Sequence, residues 1–487
     1  MKKNNLKNKI EPFIFNKLKN SNYEVKRIKA SNLLTWNRLD LAFKLFYLDY
    51  KNKNTILAEK VYKEDIKSQT LGKFIEYGNE NNKNNFETYL NKFNDLFHDI
   101  KNNGFDFKTS IIPLSEDGTL INGAHRLSAS IFLDKHVECI VTEEKSMIAD
   151  YNYFFKRNIT SNTLDLVVNK FIEYSRDNIY VAFLWPSGKG DNKLAESYFT
   201  NIVYKKSISL SFNGAFNLLV ELYKHMKWTG SQEAGFPGIR KKLIECFPVF
   251  KPITVLVFQS ETIEDVKIIK EKVRQVHGIG FSSIHITDSK EEAIRISKLI
   301  FNENGIHFLN YAKPYRYSLL SNELNKFNSY LKTNNYSNED VVLDGSIILS
   351  QYGLRKNADI DYLSFESINN PKYESHDSQL KFHKKTKDDL IYNPQYYFQY
   401  NNFKFISFNQ TYLMKMNRNE QKDKTDCGIM ISSIENNRFK TFILKKKQSF
   451  FYGKIKLISR YNKFKFLILK KSGLYKPVRY IYKKIKK

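Results

Sequence analysis

The sequence predicts a multidomain chain of α/β and α+β folds that ends in a basic amphipathic tail. Three observations carry that expectation. Short runs rich in Val, Ile, Phe and Tyr alternate with amphipathic stretches at helical spacing, the order expected when helices cover sheets. At two places a glycine, Gly123 and then Gly345, stands where an apolar strand gives way to a helix. Charge is unevenly spread. The formal net charge is +28, yet residues 438–487 hold 18 of the 79 Lys and Arg and no acid, which leaves +10 for everything before them.

A length of 487 residues suggests about three domains with room for buried cores. The 38 Phe and 31 Tyr exclude a disordered chain. Cys139, Cys246 and Cys427 are far apart and show no metal-ligand spacing, which fits a reducing compartment. The opening MKKNNLKNKIEPF lacks the apolar stretch of a secretory signal, and no run of about 18 apolar residues suggests a membrane span. A cytoplasmic protein is expected.

Residues 1–22 read as a loose basic lead-in, followed by a strand over 23–28. In residues 38–50, Leu39, Phe43, Phe46 and Tyr47 recur at helical spacing. Further helices follow from 56 to 97, with a break near Gly78 and Asn79. Residues 111–133, IIPLSEDGTLINGAHRLSASIFL, form the first chemical motif. They read as a strand ending at Pro113, a turn at Glu116-Asp117-Gly118, a second strand over 119–122, and a helix opening at Gly123. Glycine there lets the backbone turn tightly, and the free N–H groups of a helix start attract an anion. Gly123 and Ala124 supply backbone, while His125 and Arg126 add one switchable and one permanent donor. The logic is that of a phosphate cradle, against the plainer reading of a surface His-Arg pair. A strand over 137–142 closes the domain.

The run DGTLINGAHRLSASI resembles the phosphate-binding box of the ParB/sulfiredoxin superfamily. The resemblance implies a domain over residues 22–148 and, in the kinase branch, ATP-dependent phosphorylation of a free hydroxyl. The redox branch needs a cysteine before His-Arg. Ala124 stands there, so sulfinic-acid repair is not expected. The kinase branch places an acidic catalytic residue just after the first strand, where this chain has Arg38 and Asp40. The resemblance makes Asp40 the candidate. A favourable acid at a helix start is the plainer reading.

Residues 150–170 read as a linker helix, and residues 175–325 as a central α/β domain of open role with a partly parallel sheet. Its strands are expected at 179–184, 253–259, 283–287 and 306–310, its helices at 215–225 and 291–301, and a glycine-rich loop at Gly230, Gly235 and Gly238. The Pro186-Ser187-Gly188-Lys189-Gly190 loop does not have the spacing of a nucleotide-binding loop and reads as a turn. Thr287, Asp288, His307 and Asn310 stand at expected strand ends, where such sheets place function.

The second motif is residues 341–365, VVLDGSIILSQYGLRKNADIDYLSF. Gly345-Ser346 follows a strand, and Asp359-Ile360-Asp361 puts two carboxylates on one face of another, where hard oxygens suit Mg2+. This pattern resembles the core of polymerase-β-type nucleotidyltransferases, to which LicD-like phosphotransferases are related. The resemblance implies a domain over residues 326–435 and metal-assisted transfer from ATP or another NTP. It makes Asp359 and Asp361 catalytic and metal-binding, with Gly345, Ser346 and Arg355 on the nucleotide. Such enzymes place a third carboxylate on a later strand, but FKFISF at 403–408 has none. Glu420, Asp423 and Asp426 lie further on, and Lys415, Arg418 and Lys422 either meet phosphate or mark an exposed charged helix.

In the tail, residues 436–487, basic clusters alternate with Phe, Ile, Leu and Tyr. That pattern suits an anionic membrane surface through residues 438–487, at about 1 kcal/mol per near-surface cation. Nucleic acid ranks below it, because it has no need of the apolar residues. The expectation is a phosphotransferase, as hydroxyl kinase or nucleotidyltransferase or both, acting on a sugar, alditol or glycan acceptor in bacterial cell-surface polysaccharide assembly at the inner membrane face. The alternatives are a ParB-type nucleotide-dependent nucleic-acid-binding protein and an inactive scaffold of a glycan assembly complex.

Overall fold

The computed structural model describes residues 1–75, 83–357, 359–368, 370–435, 457–458, 460–472 and 475. Residues Met1–Cys427 form one compact unit and Gly428–Lys487 another. The first is a mixed α/β structure built on three small sheets.

In the first sheet β3 (His136–Val141) lies between β1 (Val25–Lys29), antiparallel to it, and β2 (Ile112–Leu114), parallel to it. The expected second strand at 119–122 reduces to one bridge, Leu114 to Leu120, because the turn spends its pairing capacity on Ser115, Asp117 and Thr119. The Asp40–Tyr50 helix is buried on nearly all sides, packed against the Thr55–Gln69, Ala124–Phe132 and Ser161–Tyr174 helices. The expected break at Gly78 and Asn79 lies outside the described residues.

Two expectations fail here. The lead-in is not loose: Leu6, Ile10, Ile14 and Leu18 recur every four residues and pack with Tyr23 on Ile111 and Ile140. Nor is the 150–170 stretch a linker. It forms the Tyr151–Phe155 and Ser161–Tyr174 helices, and Val167, Val168 and Phe171 of the second are fully buried.

The central sheet runs β5–β6–β4–β7, from β4 (Ile179–Leu184), β5 (Ile202–Ile208), β6 (Ile253–Gln259) and β7 (Ile284–Ile286). It is antiparallel throughout, not partly parallel. β6 inserts between β4 and β5 and opposes both, a pairing that alternation of strands and helices does not specify. The expected strand at 306–310 is instead the Glu303–Tyr311 helix. Asn302 caps it by accepting from the Asn304 and Gly305 N–H groups, and a short apolar run takes the conformation its cap starts.

The third sheet comprises β8 (Val341–Asp344), β9 (Ile360–Ser364), β10 (Tyr373–Ser375), β11 (Tyr397–Tyr400) and β12 (Phe403–Ile406), in the order β10–β9–β8–β12–β11. β9 is antiparallel to β8 and parallel to β10.

A ladder of alternating charges ties the three sheet regions together. Lys170 Nζ lies 2.5 Å from both Asp49 and Glu173. Lys298 Nζ is 2.8 Å from Glu173 and 3.0 Å from Glu339, which also meets Lys404 at 3.3 Å. Burial opposes the charge on Lys170, but Glu173, Tyr50 and Asp49 outweigh it and hold its pKa well above the usual lysine value.

In the tail, residues 460–471 are helical, and Tyr461, Phe464, Leu467 and Ile468 on that helix are exposed. Most of the tail expectation lies outside the described residues. No described helix is long and apolar enough to cross a membrane.

Candidate functional site

At the first motif Gly123 has φ +91°, and a Cβ there would come within 2.9 Å of both Ile112 Cδ1 and an Arg126 nitrogen. Only glycine makes this entry into the Ala124–Phe132 helix, and no side chain caps it. The two expected donors turn toward protein. His125 Nε2 sits 2.8 Å from the Tyr62 hydroxyl, its ring edge-on to Tyr62 and Phe93. Burial, aided by Lys44, Lys83 and Arg126, holds its pKa well below the usual histidine value, so the ring is neutral. Arg126 pairs with Glu11 at 2.6 Å and donates to Ser110.

Asp40 is completely enclosed. Arg38 grips both its oxygens at 2.8 Å, Lys44 lies at 3.7 Å, and Lys44 in turn pairs with Asp65 at 2.6 Å. Burial alone would raise the Asp40 pKa, but Arg38 and Lys44 overcome it and keep the carboxylate ionised. A hydroxyl substrate reaches Asp40 only if this network opens.

The second motif brings its residues together. Across β8 and β9, Asp344 faces Asp361, and parallel pairing sets Glu374 of β10 beside Asp361. Asp359, one residue before β9, completes a group of three carboxylates, each offering an oxygen within 4.8 Å of the others. Glu374 is the third acid of this group, and it lies outside the 403–408 stretch. The 403–408 stretch contains β12, which lies on the other side of β8 from β9. Glu374 sits on a three-residue strand whose parallel register to β9 leaves no local signal.

Gly345, with φ +72°, is essential to this geometry. A Cβ there would lie 2.3 Å from Asp361 Oδ2 and 3.0 Å from His376 Cε1, so the carboxylate passes directly beneath the backbone. Behind it Asp344 is fully buried, with Oδ2 2.7 Å from His376 Nδ1 and 2.9 Å from His383 Nε2. Burial would raise Asp344, but His383 and His376 together hold it far below the usual carboxylate range. For His376 burial acts to lower the pKa, and the bond to Asp344 more than reverses this. The other nitrogen of His376 is 3.7 Å from Asp361 Oδ2. Asp361 is pushed up to about 6, chiefly by burial and then by Asp359, Asp344 and Glu374, against the pull of His376. Ser346 Oγ is buried without a partner among the described residues.

The remaining candidates have structural engagements. Arg355 makes a two-pronged pair with Asp426, at 2.7 and 2.8 Å. Lys415 is buried against Asp423 and Asp426, and Arg418 against Asp423, so this is no exposed charged helix; only Lys422 is solvated. Thr287 accepts from the Val181 N–H, His307 meets the Tyr352 hydroxyl at 2.8 Å, and Asn310 accepts from the Ser211 N–H. The Gly188 and Gly190 loop packs so tightly on His277 and Val276 that a Cβ would come within 2.4 and 2.1 Å. It is a turn, as expected.

Comparison with protein-family models, curated proteins and solved structures finds no match for the chain.

Proposed function

We propose that the Asp359–Asp361–Glu374 group binds a divalent cation, and with it the phosphates of a nucleoside triphosphate, in a phosphorus-group transferase that acts on a hydroxyl of a sugar, alditol or glycan. The convergence of three carboxylates beside the close backbone approach at Gly345 carries this reading. The donor set fits Mg2+: all three ligands are hard oxygens, and an added cation would offset the burial and, after it, the carboxylate repulsion that push the Asp361 pKa up to about 6. When bound, such a cation supplies charge neutralisation at phosphate oxygens. The chain's own residues prepare the site. Asp344 holds His376 through Nδ1, His376 turns its other nitrogen toward Asp361, and Gly345 leaves the space the carboxylate needs. The Ser346 hydroxyl, buried without a partner among the described residues at the start of the helix after β8, supports a phosphate contact there once the site opens to a ligand. For the tail, exposed Phe464, Leu467 and Ile468 interleaved with Lys463, Lys465 and Lys470 support contact with an anionic membrane.

Thermal unfolding with and without Mg2+ and ATP, CTP, GTP or UTP tests the reading. A Mg2+-dependent shift should occur in the wild type and vanish in Asp359→Asn/Asp361→Asn. An unshifted wild type, or an equal shift in the double variant, overturns it.

A further inference from the structure

We propose that the cleft along the outer edge of β7 is a separate binding site for a nucleoside phosphate, one that needs no metal. The cleft encloses about 530 Å³, within the range of pockets that take a single small ligand. Three kinds of group meet in it, and each is unexplained by the carboxylate site.

The first is free backbone. β7 is the last strand of its sheet. The Trp185 N–H donates to the Ser283 carbonyl and the Thr287 N–H to the Val181 carbonyl, both at 3.0 Å. Antiparallel alternation therefore turns the backbone of His285 toward β4 and that of Ile284 and Ile286 outward. The Ile284 and Ile286 side chains are buried in the core, so what they present to the cleft is N–H and C=O.

The second is charge. Lys270 and Arg274, one turn apart on the Ile263–His277 helix, face Lys241 and Lys242 of the Pro237–Cys246 helix. Against these four cations the lining holds two carboxylates, Glu245 and Asp288. Asp288 takes Lys270 at 3.2 Å, and Lys242 donates to the Phe281 carbonyl at 2.7 Å. Arg274 is held through Nη1 by Glu271 while its Nε is buried without an acceptor, and Lys241 forms no ion pair or hydrogen bond among the described residues. The excess is positive and part of it is unspent, which selects an anion.

The third is exposed aromatic surface at the rim. Trp228 is 48% exposed and Phe281 75% exposed. The Arg274 guanidinium lies 4.3 Å from the Phe281 ring centre, and Tyr223 lies 5.4 Å from Trp228. An inorganic anion would use only the cations. A phosphorylated heterocycle uses all three: backbone for its hydrogen-bonding rim, aromatic rings for its face, and lysine and arginine for its phosphates.

The test is calorimetric titration of the full chain in EDTA with ADP, CDP, GDP and UDP, beside inorganic pyrophosphate. At least one diphosphate should bind saturably and more tightly than pyrophosphate. Lys241→Glu and Arg274→Ala should each weaken it by about tenfold, the size of one charge-assisted contact. Trp228→Ala should weaken the nucleotide but not pyrophosphate. Asp359→Asn/Asp361→Asn should leave all of this unchanged, which separates the cleft from the carboxylate site. Lys241 and Trp228 are solvent-exposed, so their variants keep the fold. The proposal is overturned if no diphosphate binds without metal, if pyrophosphate binds as tightly as every nucleotide, or if Lys241→Glu and Arg274→Ala bind like wild type.

Discussion

Replacing Asp361 by asparagine should make the metal-free protein more stable while removing its response to Mg2+. In the folded chain the Asp361 pKa rises from the ordinary 3.8 to about 6. A carboxyl with a raised folded pKa favours the native state while protonated and loses that advantage as pH climbs through the folded value. Its contribution is therefore intact below about pH 4 and gone above about pH 6. The gap of about two pH units corresponds to a penalty of about 3 kcal/mol at about pH 7.5. Asp361→Asn keeps the shape and deletes the charge, so it should recover about 2–3 kcal/mol at that pH and almost nothing at about pH 4. Urea unfolding in EDTA at both pH values measures the difference. Adding Mg2+ should then stabilise wild type but not the variant. An asparagine variant less stable than wild type at the higher pH would refute the argument, because the Asp361 carboxylate would then be held by a favourable partner rather than penalised by burial and neighbouring acids.

Three further outcomes follow from the packing. Gly345→Ala places a Cβ 2.3 Å from Asp361 Oδ2 at φ +72°, and should cost about 1–3 kcal/mol and abolish the Mg2+ shift in thermal unfolding. Lys170→Met leaves Asp49 and Glu173 facing each other and should destabilise by about 3–5 kcal/mol in urea melts, while Lys170→Met/Glu173→Leu recovers part of the loss. Ile14→Ala should cost about 2–4 kcal/mol by the same measurement, since Ile14 is buried in the cluster the first residues share with Ile111 and Ile140.

What the sequence made legible was local. β6 is found over the expected residues, and the Gly345–Ser346 and Asp359–Asp361 elements meet as their spacing implies, because a strand's period and a glycine's freedom act within a few residues. The features that decide the site are not local. Glu374 reaches Asp361 through a parallel register, and Asp344 bonds His376 and His383, which stand 32 and 39 positions later in the chain. Asp40, Arg126 and Arg355 were legible as charges but not as partners of Arg38, Glu11 and Asp426. An ionic side chain looks the same in sequence whether it awaits a ligand or is already satisfied. The period of four in Leu6, Ile10, Ile14 and Leu18 was readable, but the surrounding lysines and asparagines obscured it.

The charge ladder from Asp49 to Lys404 also bears on how such a chain can be taken apart. Two of its pairs, Asp49–Lys170 and Lys298–Glu339, cross the divisions that the sequence suggests near residues 148 and 325, so a cut at either one breaks the ladder. A fragment beginning at 326 would carry Glu339 and Lys404 without Lys298, and one ending at 148 would keep Asp49 without Lys170. Each piece would lose one cationic partner of a carboxylate, Asp49 keeping Lys53 and Glu339 keeping Lys404. Shuffling these modules into new combinations, by recombination or by design, therefore requires the ladder residues to travel together or be replaced by apolar ones in the same step.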